Sequence, residues 1–184
     1  MDYEKEKKMI EETNCDEVKK KIRATIDRII EKFKGNHQAW ENERHVHYDF
    51  FKLLFDVFSG EEIKRNFVWE YRVGGPTLET IDLVMFCGNR NMVSVDFKLF
   101  KSPGDKFKEE LIKHIKIQSK YKDSLFRGYV VPLYYYRDGQ AVAQKQNHNM
   151  TYQELLSKII KRAKESIKDQ NIELIEDGII FGRI

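Results

Sequence analysis

The sequence contains few cysteines and prolines and lacks any long apolar run. Its 184 residues include two cysteines and three prolines. No stretch approaches the roughly 18 apolar residues that a transmembrane helix needs, and the first ten residues, MDYEKEKKMI, are too charged for a secretory signal. These absences argue against a membrane partner and predict a soluble, intracellular protein of the cytoplasm.

The two cysteines, Cys15 and Cys87, lie far apart in the sequence and lack the short spacing of a zinc site. We therefore predict neither a disulfide framework nor a zinc knuckle. The hydrophobic fraction of 41% and the charged fraction of 34% are typical of a soluble globular protein. A chain of this length is expected to form one domain with a substantial core.

The positive charge of the chain is concentrated in one segment. The formal net charge of +3 is too small to indicate nucleic-acid binding by itself. Residues 98–122, however, contain eight lysines and only three acidic residues. Such a local excess favours an anionic partner, but a solvated lysine-rich helix face explains it about equally well.

Two helices are predicted before the first strand. Residues 1–35 have apolar positions at three- and four-residue spacings, which predicts a peripheral amphipathic helix covering the domain or a partner subunit. In a second helix, roughly 38–58, a rotation of about 100° per residue places Glu43 on the apolar face. Glu43 either reaches solvent from the helix end or points into a site. His47 shares this face, where a histidine is more often a core-edge residue than a ligand.

Three strands are predicted next, over residues 67–73, 81–86 and 92–99, and the short turns between them indicate an antiparallel meander. Asp82 lies in the second strand. Asp96 and Lys98 project from one face of the third strand, because strand side chains alternate. Charged groups in apolar strands require an ionic partner or a cation, so this is the predicted site. An ordinary cross-strand ion pair between Asp82 and Lys98 is the simpler alternative.

A helix over residues 106–122 and a fourth strand over 128–136 are predicted to follow. Helical phasing places Gln118 on the inward face with Leu111, and it directs Lys113, Lys116 and Lys120 away from the sheet. The fourth strand is expected to join the meander after this helical crossover. A helix over 151–168 and one or two short strands within 172–184 complete the expected pattern.

This αβββαβ order resembles the PD-(D/E)xK nuclease superfamily. The resemblance covers about residues 40–136 and includes Glu43 on the first helix, Asp82, the Asp96-Phe97-Lys98 strand and Gln118. Ile81 stands where the family motif has proline. The resemblance implies a restriction-endonuclease-like α/β fold with a mixed central sheet flanked by helices. Holliday-junction resolvases and RecB-type nucleases share this fold. The expected division is a helical extension at 1–35 and a nuclease-like domain at 36–184.

The resemblance further implies a divalent-metal-dependent endonuclease acting on DNA, with Mg²⁺ as the cofactor and Mn²⁺ as a substitute. Asp82, Asp96 and the Phe97 carbonyl would be metal ligands, and Glu43 would act through water or complete a second metal site. Lys98 would orient or deprotonate the attacking water, and Gln118 would steady Lys98 or contact the phosphate.

Further phosphate contacts are expected from basic residues in loops at the mouth of the cleft, although solvated side chains are the default for them. These residues are Lys64, Arg65, Lys101 and Lys106. Two alternatives stay open: a nucleic-acid-binding protein that has kept the nuclease fold without hydrolysis, and a structural module with a buried ion-pair network. Because cutting two strands requires two active sites, the resemblance is also consistent with a homodimer.

Overall fold

Helices and strands alternate along the chain in this computed structural model, which describes residues 13–33, 43–72, 79–89, 91–100, 105–135, 152–168, 170–176 and 181–182. The helices are α1 (Cys15–Phe33), α2 (Glu43–Leu54), α3 (Gly60–Asn66), α4 (Asp105–Ser119) and α5 (Tyr152–Ser166). The strands are β1 (Phe67–Arg72), β2 (Thr80–Cys87), β3 (Asn91–Phe100), β4 (Leu125–Tyr135), β5 (Ile172–Leu174) and β6 (Phe181–Gly182).

The strands form one mixed sheet in the order β1-β2-β3-β4-β5, with β6 paired to β4. β1, β2 and β3 form the predicted antiparallel meander, and β4 pairs parallel to β3 after the α4 crossover. β5 and β6 also run parallel to β4. The prediction of an α/β fold with a mixed sheet and flanking helices is confirmed. Among the described helices, none combines the length and apolar character needed to cross a membrane.

The alternation along β3 separates two layers of core. Val93, Val95 and Phe97 belong to the cluster that α1 and α2 cover, which we call the α1/α2 face. The opposite surface of the sheet packs on α4 and α5 and is called the α4/α5 face; its apolar cluster includes Leu111 and Ile160. Because successive strand residues point to opposite sides, Ser94 and Asp96 lie on the α4/α5 face.

Helix α1 contributes its apolar side chains to the core. Its apolar stripe is buried to 3% exposure or less, at Val18, Ile22, Ile26, Ile29 and Ile30. These side chains belong to the same cluster as the sheet residues of the α1/α2 face. Residues 15–33 therefore cover the sheet of their own domain, and their apolar stripe is not available to a partner subunit.

The cysteines form a disulfide, which corrects the prediction from their spacing. Cys15 begins α1 and Cys87 ends β2, 72 residues further along the chain, and their sulfur atoms are bonded. A second link lies beside it, because the Gly88 N–H donates to the Thr13 carbonyl at 2.9 Å. Sequence separation did not reveal this pairing, since the packing of α1 against the sheet is what brings the two ends together.

Helix α3 was not predicted and occupies the segment that was expected to be a loop before β1. Ser59 and Glu62 form a reciprocal capping box at its start. The hydrogen bond that the Ser59 backbone N–H donates to the Glu62 carboxylate lowers the pKa of Glu62. The Ser-x-x-Glu spacing of this box was a recognisable signal for a helix start. Helix α2 begins at Glu43 among the described residues and ends at Leu54, four residues before the predicted end.

The meander opens at one end. The recorded β2–β3 pairs run from Cys87↔Asn91 to Leu83↔Val95 and do not continue to Asp82. Beyond that level β2 stays paired to β1 as far as Thr80, whereas β3 stays paired to β4. Side chains from both faces of the sheet can therefore approach one another where β2 and β3 separate.

Candidate functional site

Asp82 lies at the point where β2 and β3 separate. Its side chain is 9% exposed, and its Oδ2 atom accepts a hydrogen bond of 2.6 Å from the backbone N–H of Phe97. This bond takes the place of a ladder hydrogen bond at the first level where the two strands no longer pair. The local backbone thus fixes the Asp82 carboxylate beside the Asp96-Phe97-Lys98 segment.

Helix α2 brings two more side chains to Asp82. Glu43 is its first residue and His47 lies one turn later, so both project from the same side of the helix. One ligand atom from each of Glu43, His47 and Asp82 lies within 4.8 Å of the other two. His47 Nε2 is 3.3 Å from Asp82 Oδ2. From the sequence, His47 was expected to be a core-edge residue, although its four-residue spacing from Glu43 was the available signal.

Lys98 lies between Glu43 and Asp96. Its Nζ atom donates to Glu43 Oε1 at 3.4 Å and lies 3.9 Å from Asp96 Oδ1. The Lys98 side chain is 16% exposed and the Glu43 side chain 32%. Lys98 is thus mostly buried, between the deeply buried Asp96 and the more exposed Glu43.

Asp96 is the most deeply buried carboxylate of the group, with a side chain 1% exposed. Within the described part of the chain, neither of its oxygens makes a hydrogen bond of acceptable geometry. His114, on α4, brings its Nδ1 atom to 2.7 Å from Asp96 Oδ2. His114 was not predicted to be a site residue, although it lies one helical turn before Gln118 and shares its inward phase.

Three carboxylates, of Glu43, Asp82 and Asp96, surround the Lys98 ammonium group. Burial raises the pKa of Asp82, and the nearby Asp96 raises it further. Burial lowers the pKa of His47, but Asp82 and Glu43 outweigh it and the net shift is upward. Burial likewise opposes the charge on Lys98, yet the three carboxylates raise its pKa above the ordinary value. The group therefore attracts positive charge.

Gln118 does not join this cluster. It points inward as predicted and is fully buried, but its amide donates to the Tyr129 carbonyl at 3.2 Å. Its Oε1 atom lies against Gly128, which pairs with Ser94. Ser94 and Lys98 are four strand residues apart, or about 13 Å. Gln118 was expected to steady Lys98 or to contact the phosphate. The structure does not place it beside Lys98.

Two of the four basic residues expected at the cleft mouth, Lys64 and Arg65, are described and lie away from the Asp82 end of β2. Lys64 and Arg65 lie on helix α3 rather than in a loop, and Arg65 pairs with Glu61 at 2.9 Å. This helix leads into the Phe67 end of β1, which pairs with Met85 and not with the Asp82 end of β2. Lys101 and the side chain of Lys106 lie outside the described residues. The three lysines predicted to face away from the sheet are exposed: Lys113 and Lys116 on α4, and Lys120 directly after it.

The residues present fit a divalent cation. Glu43, His47 and Asp82 supply two carboxylates and an imidazole at ligand spacing. A buried carboxylate without hydrogen bonds, as at Asp96, is costly unless a cation compensates it. The imidazole suits a transition metal better than Mg²⁺, which prefers oxygen ligands alone. The role of the Phe97 carbonyl as a metal ligand stays a prediction that no observed contact tests.

The comparisons with known proteins add no family to this picture. No protein-family model matches the sequence, and no curated protein matches it. The site residues and their geometry are therefore the basis for proposing a function.

Proposed function

We propose that this chain is a divalent-metal-dependent endonuclease of the PD-(D/E)xK type, hydrolysing phosphodiester bonds in DNA. The observation that carries the proposal is the meeting of Glu43, His47 and Asp82 within 4.8 Å. Lys98 and Asp96 stand beside this group on the adjacent strand. A carboxylate-rich cation site next to a lysine provides the charges that phosphodiester hydrolysis requires.

The position of each residue suggests its role in the proposed reaction. Glu43, His47 and Asp82 would hold the ion, and Asp96 would contribute a further carboxylate from β3. When bound, the ion supplies positive charge for the phosphate oxygens and activates the attacking water. Lys98 donates hydrogen bonds to the attacking water or to a phosphate oxygen. A neighbouring cation would lower the pKa of Lys98 and also allow it to accept the proton of that water.

The imidazole of His47 changes which metal ion we expect the site to prefer. With oxygen ligands alone, Mg²⁺ would be the natural ion, whereas a nitrogen ligand increases the preference for a transition metal. We propose that Mn²⁺ supports activity at lower concentration than Mg²⁺. The measurement is the cleavage rate as a function of the concentration of each ion, and an equal or opposite order would contradict this preference.

The test of the function is cleavage of plasmid, single-stranded, flap and four-way-junction DNA, with Mn²⁺, with Mg²⁺ and with a chelator. Wild-type protein is expected to cleave at least one of these substrates only when metal is present. Asp82→Asn and Lys98→Gln are expected to reduce the rate by at least about 100-fold, the lower range for losing a group that acts in the transition state.

Matched controls on α4 separate the site from general effects of charge. Glu109→Gln removes an exposed carboxylate, and Lys113→Gln removes an exposed ammonium. Both variants are expected to cleave like the wild type. Full activity in Asp82→Asn would overturn the proposal, and DNA binding without metal-dependent cleavage would favour the non-hydrolytic alternative.

A further inference from the structure

Asp96 and His114 form a buried pair behind the cation site. Asp96 is 1% exposed and His114 is 8% exposed, and His114 Nδ1 lies 2.7 Å from Asp96 Oδ2. The two residues come from different elements, β3 and α4. Neither atom has a hydrogen-bond partner of good geometry elsewhere among the described residues.

Asp96 and His114 can each supply the hydrogen-bond partner that the other lacks. Buried polar groups are almost always hydrogen-bonded, because an unpartnered one loses its hydration without compensation. At 2.7 Å the two atoms are at hydrogen-bond distance, and a hydrogen bond between them requires the Nδ1–H to turn toward Oδ2. This bond would use Oδ2 and leave Oδ1 on the side of Lys98, 3.9 Å away.

We infer that His114 is a positioning residue that fixes the Asp96 carboxylate, so that Oδ1 faces the bound cation and Lys98. The inference rests on the proposed function, which it deepens by assigning the support of one carboxylate. Groups that hydrogen-bond to a metal-ligating side chain orient it, and their loss typically weakens metal affinity by about 10–100-fold. His114 itself touches neither the cation nor the substrate.

The exposed neighbour of the pair is Glu110. Its Oε2 atom lies 3.7 Å from His114 Nε2, one turn earlier on α4, and its side chain is 53% exposed. At that distance and exposure an ion pair contributes little. The orienting effect on Asp96 is therefore assigned to the buried Nδ1 side of His114.

The experiment measures Mn²⁺ affinity by calorimetry, together with the shift in Tm that Mn²⁺ produces, on the full chain without DNA. His114→Leu keeps much of the volume and removes the donor. His114→Asn places an amide nitrogen near the position of Nδ1, whereas His114→Gln places one near Nε2. The expected result is a 10–100-fold weaker affinity for the Leu and Gln variants and a substantial rescue in the Asn variant.

Controls distinguish positioning from a structural role and from failure of the proposed function. Glu110→Gln and Lys113→Gln are expected to bind Mn²⁺ like the wild type. Should His114→Leu fail to fold, the comparison of Asn with Gln decides, and equal affinities of those two variants would overturn the inference. Unchanged affinity in all His114 variants would also overturn it while leaving the nuclease proposal intact. A wild-type protein that neither binds Mn²⁺ nor cleaves DNA would refute both.

Discussion

The two faces of the central sheet bury their residues in different ways. The α1/α2 face is a closed apolar layer, with Phe50, Val95 and Phe97 at 1% exposure or less. The α4/α5 face also has an apolar cluster, but it buries Ser94, Asp96, His114 and Gln118 as well. Atoms of all four of these residues lack a hydrogen bond of good geometry among the described residues.

This difference predicts different effects for substitutions on the two faces. Apolar burial is satisfied by packing alone, and the α1/α2 face is also tied by a disulfide and contains no unmatched carboxylate among its buried cluster members. Buried polar atoms on the other face reduce stability unless a ligand or a partner compensates them. We therefore expect substitutions on the first face to change the free energy of unfolding, and substitutions at Asp96 to change the response to metal.

The largest expected effect on stability is loss of the Cys15–Cys87 disulfide. A cross-link spanning 72 residues restricts the unfolded chain and is expected to contribute about 4 kcal/mol. Urea unfolding of the wild type with and without reductant measures this difference, and Cys15→Ala should match the reduced protein. The same urea midpoint under both conditions would show that the link makes no contribution to the α1/α2 face.

Ile26→Ala tests whether α1 is an integral part of that face. Ile26 is fully buried, so removing three carbon atoms is expected to lower the free energy of unfolding by about 3 kcal/mol. Lys20→Ala, at an exposed position of the same helix, is the control and should change stability by less than about 0.5 kcal/mol. Equal urea midpoints for the two variants would show that α1 contributes little to the stability of the α1/α2 face.

Asp96→Asn is expected to change stability less and in the opposite direction. Without metal, neutralising this buried carboxylate removes its repulsion of Asp82, and the variant should be as stable as the wild type or about 1 kcal/mol more stable. The Mn²⁺-dependent rise in Tm should be largely lost. A loss of several kcal/mol with an unchanged metal response would instead identify the cluster as a structural ion-pair network.

The smallest expected effect appears only at alkaline pH. Burial, with a contribution from Glu173, raises the pKa of Tyr129 to about 12. Because the folded-state pKa exceeds the unfolded value of about 10, this contribution to stability is complete below pH 10 and is lost as pH rises toward 12. Tyr129→Phe should flatten the Tm profile between these values. Parallel wild-type and variant profiles would exclude Tyr129 as the titrating group.

Much of the fold could be predicted because its signals are local. The period of two along β3 placed Asp96 and Lys98 on one side, and short turns indicated the meander. Helical phasing correctly placed Gln118 inward and the α4 lysines outward. Helix α3 was missed because its Ser59–Glu62 capping box was passed over, not because the signal was absent.

The site was only partly predictable. Glu43, Asp82, Asp96 and Lys98 were named from the sequence, and the structure brings them into one neighbourhood. His47 and His114 were undervalued, since a histidine in an apolar helix face carries no sign of which carboxylate it will meet. Gln118 was assigned a contact with Lys98 that the fold does not make, because inward phase gives direction but not height along the neighbouring strand.

By itself, the sequence determined the element order, the alternation of β3 and the set of charged residues in apolar strands, since all three depend on neighbours along the chain. Only the tertiary structure decided that Cys15 meets Cys87. The separation of β2 from β3 beyond Leu83 and Val95 was likewise a tertiary outcome. That opening lets Glu43 from one face meet Lys98 from the other, because a fully paired sheet would keep its two faces apart.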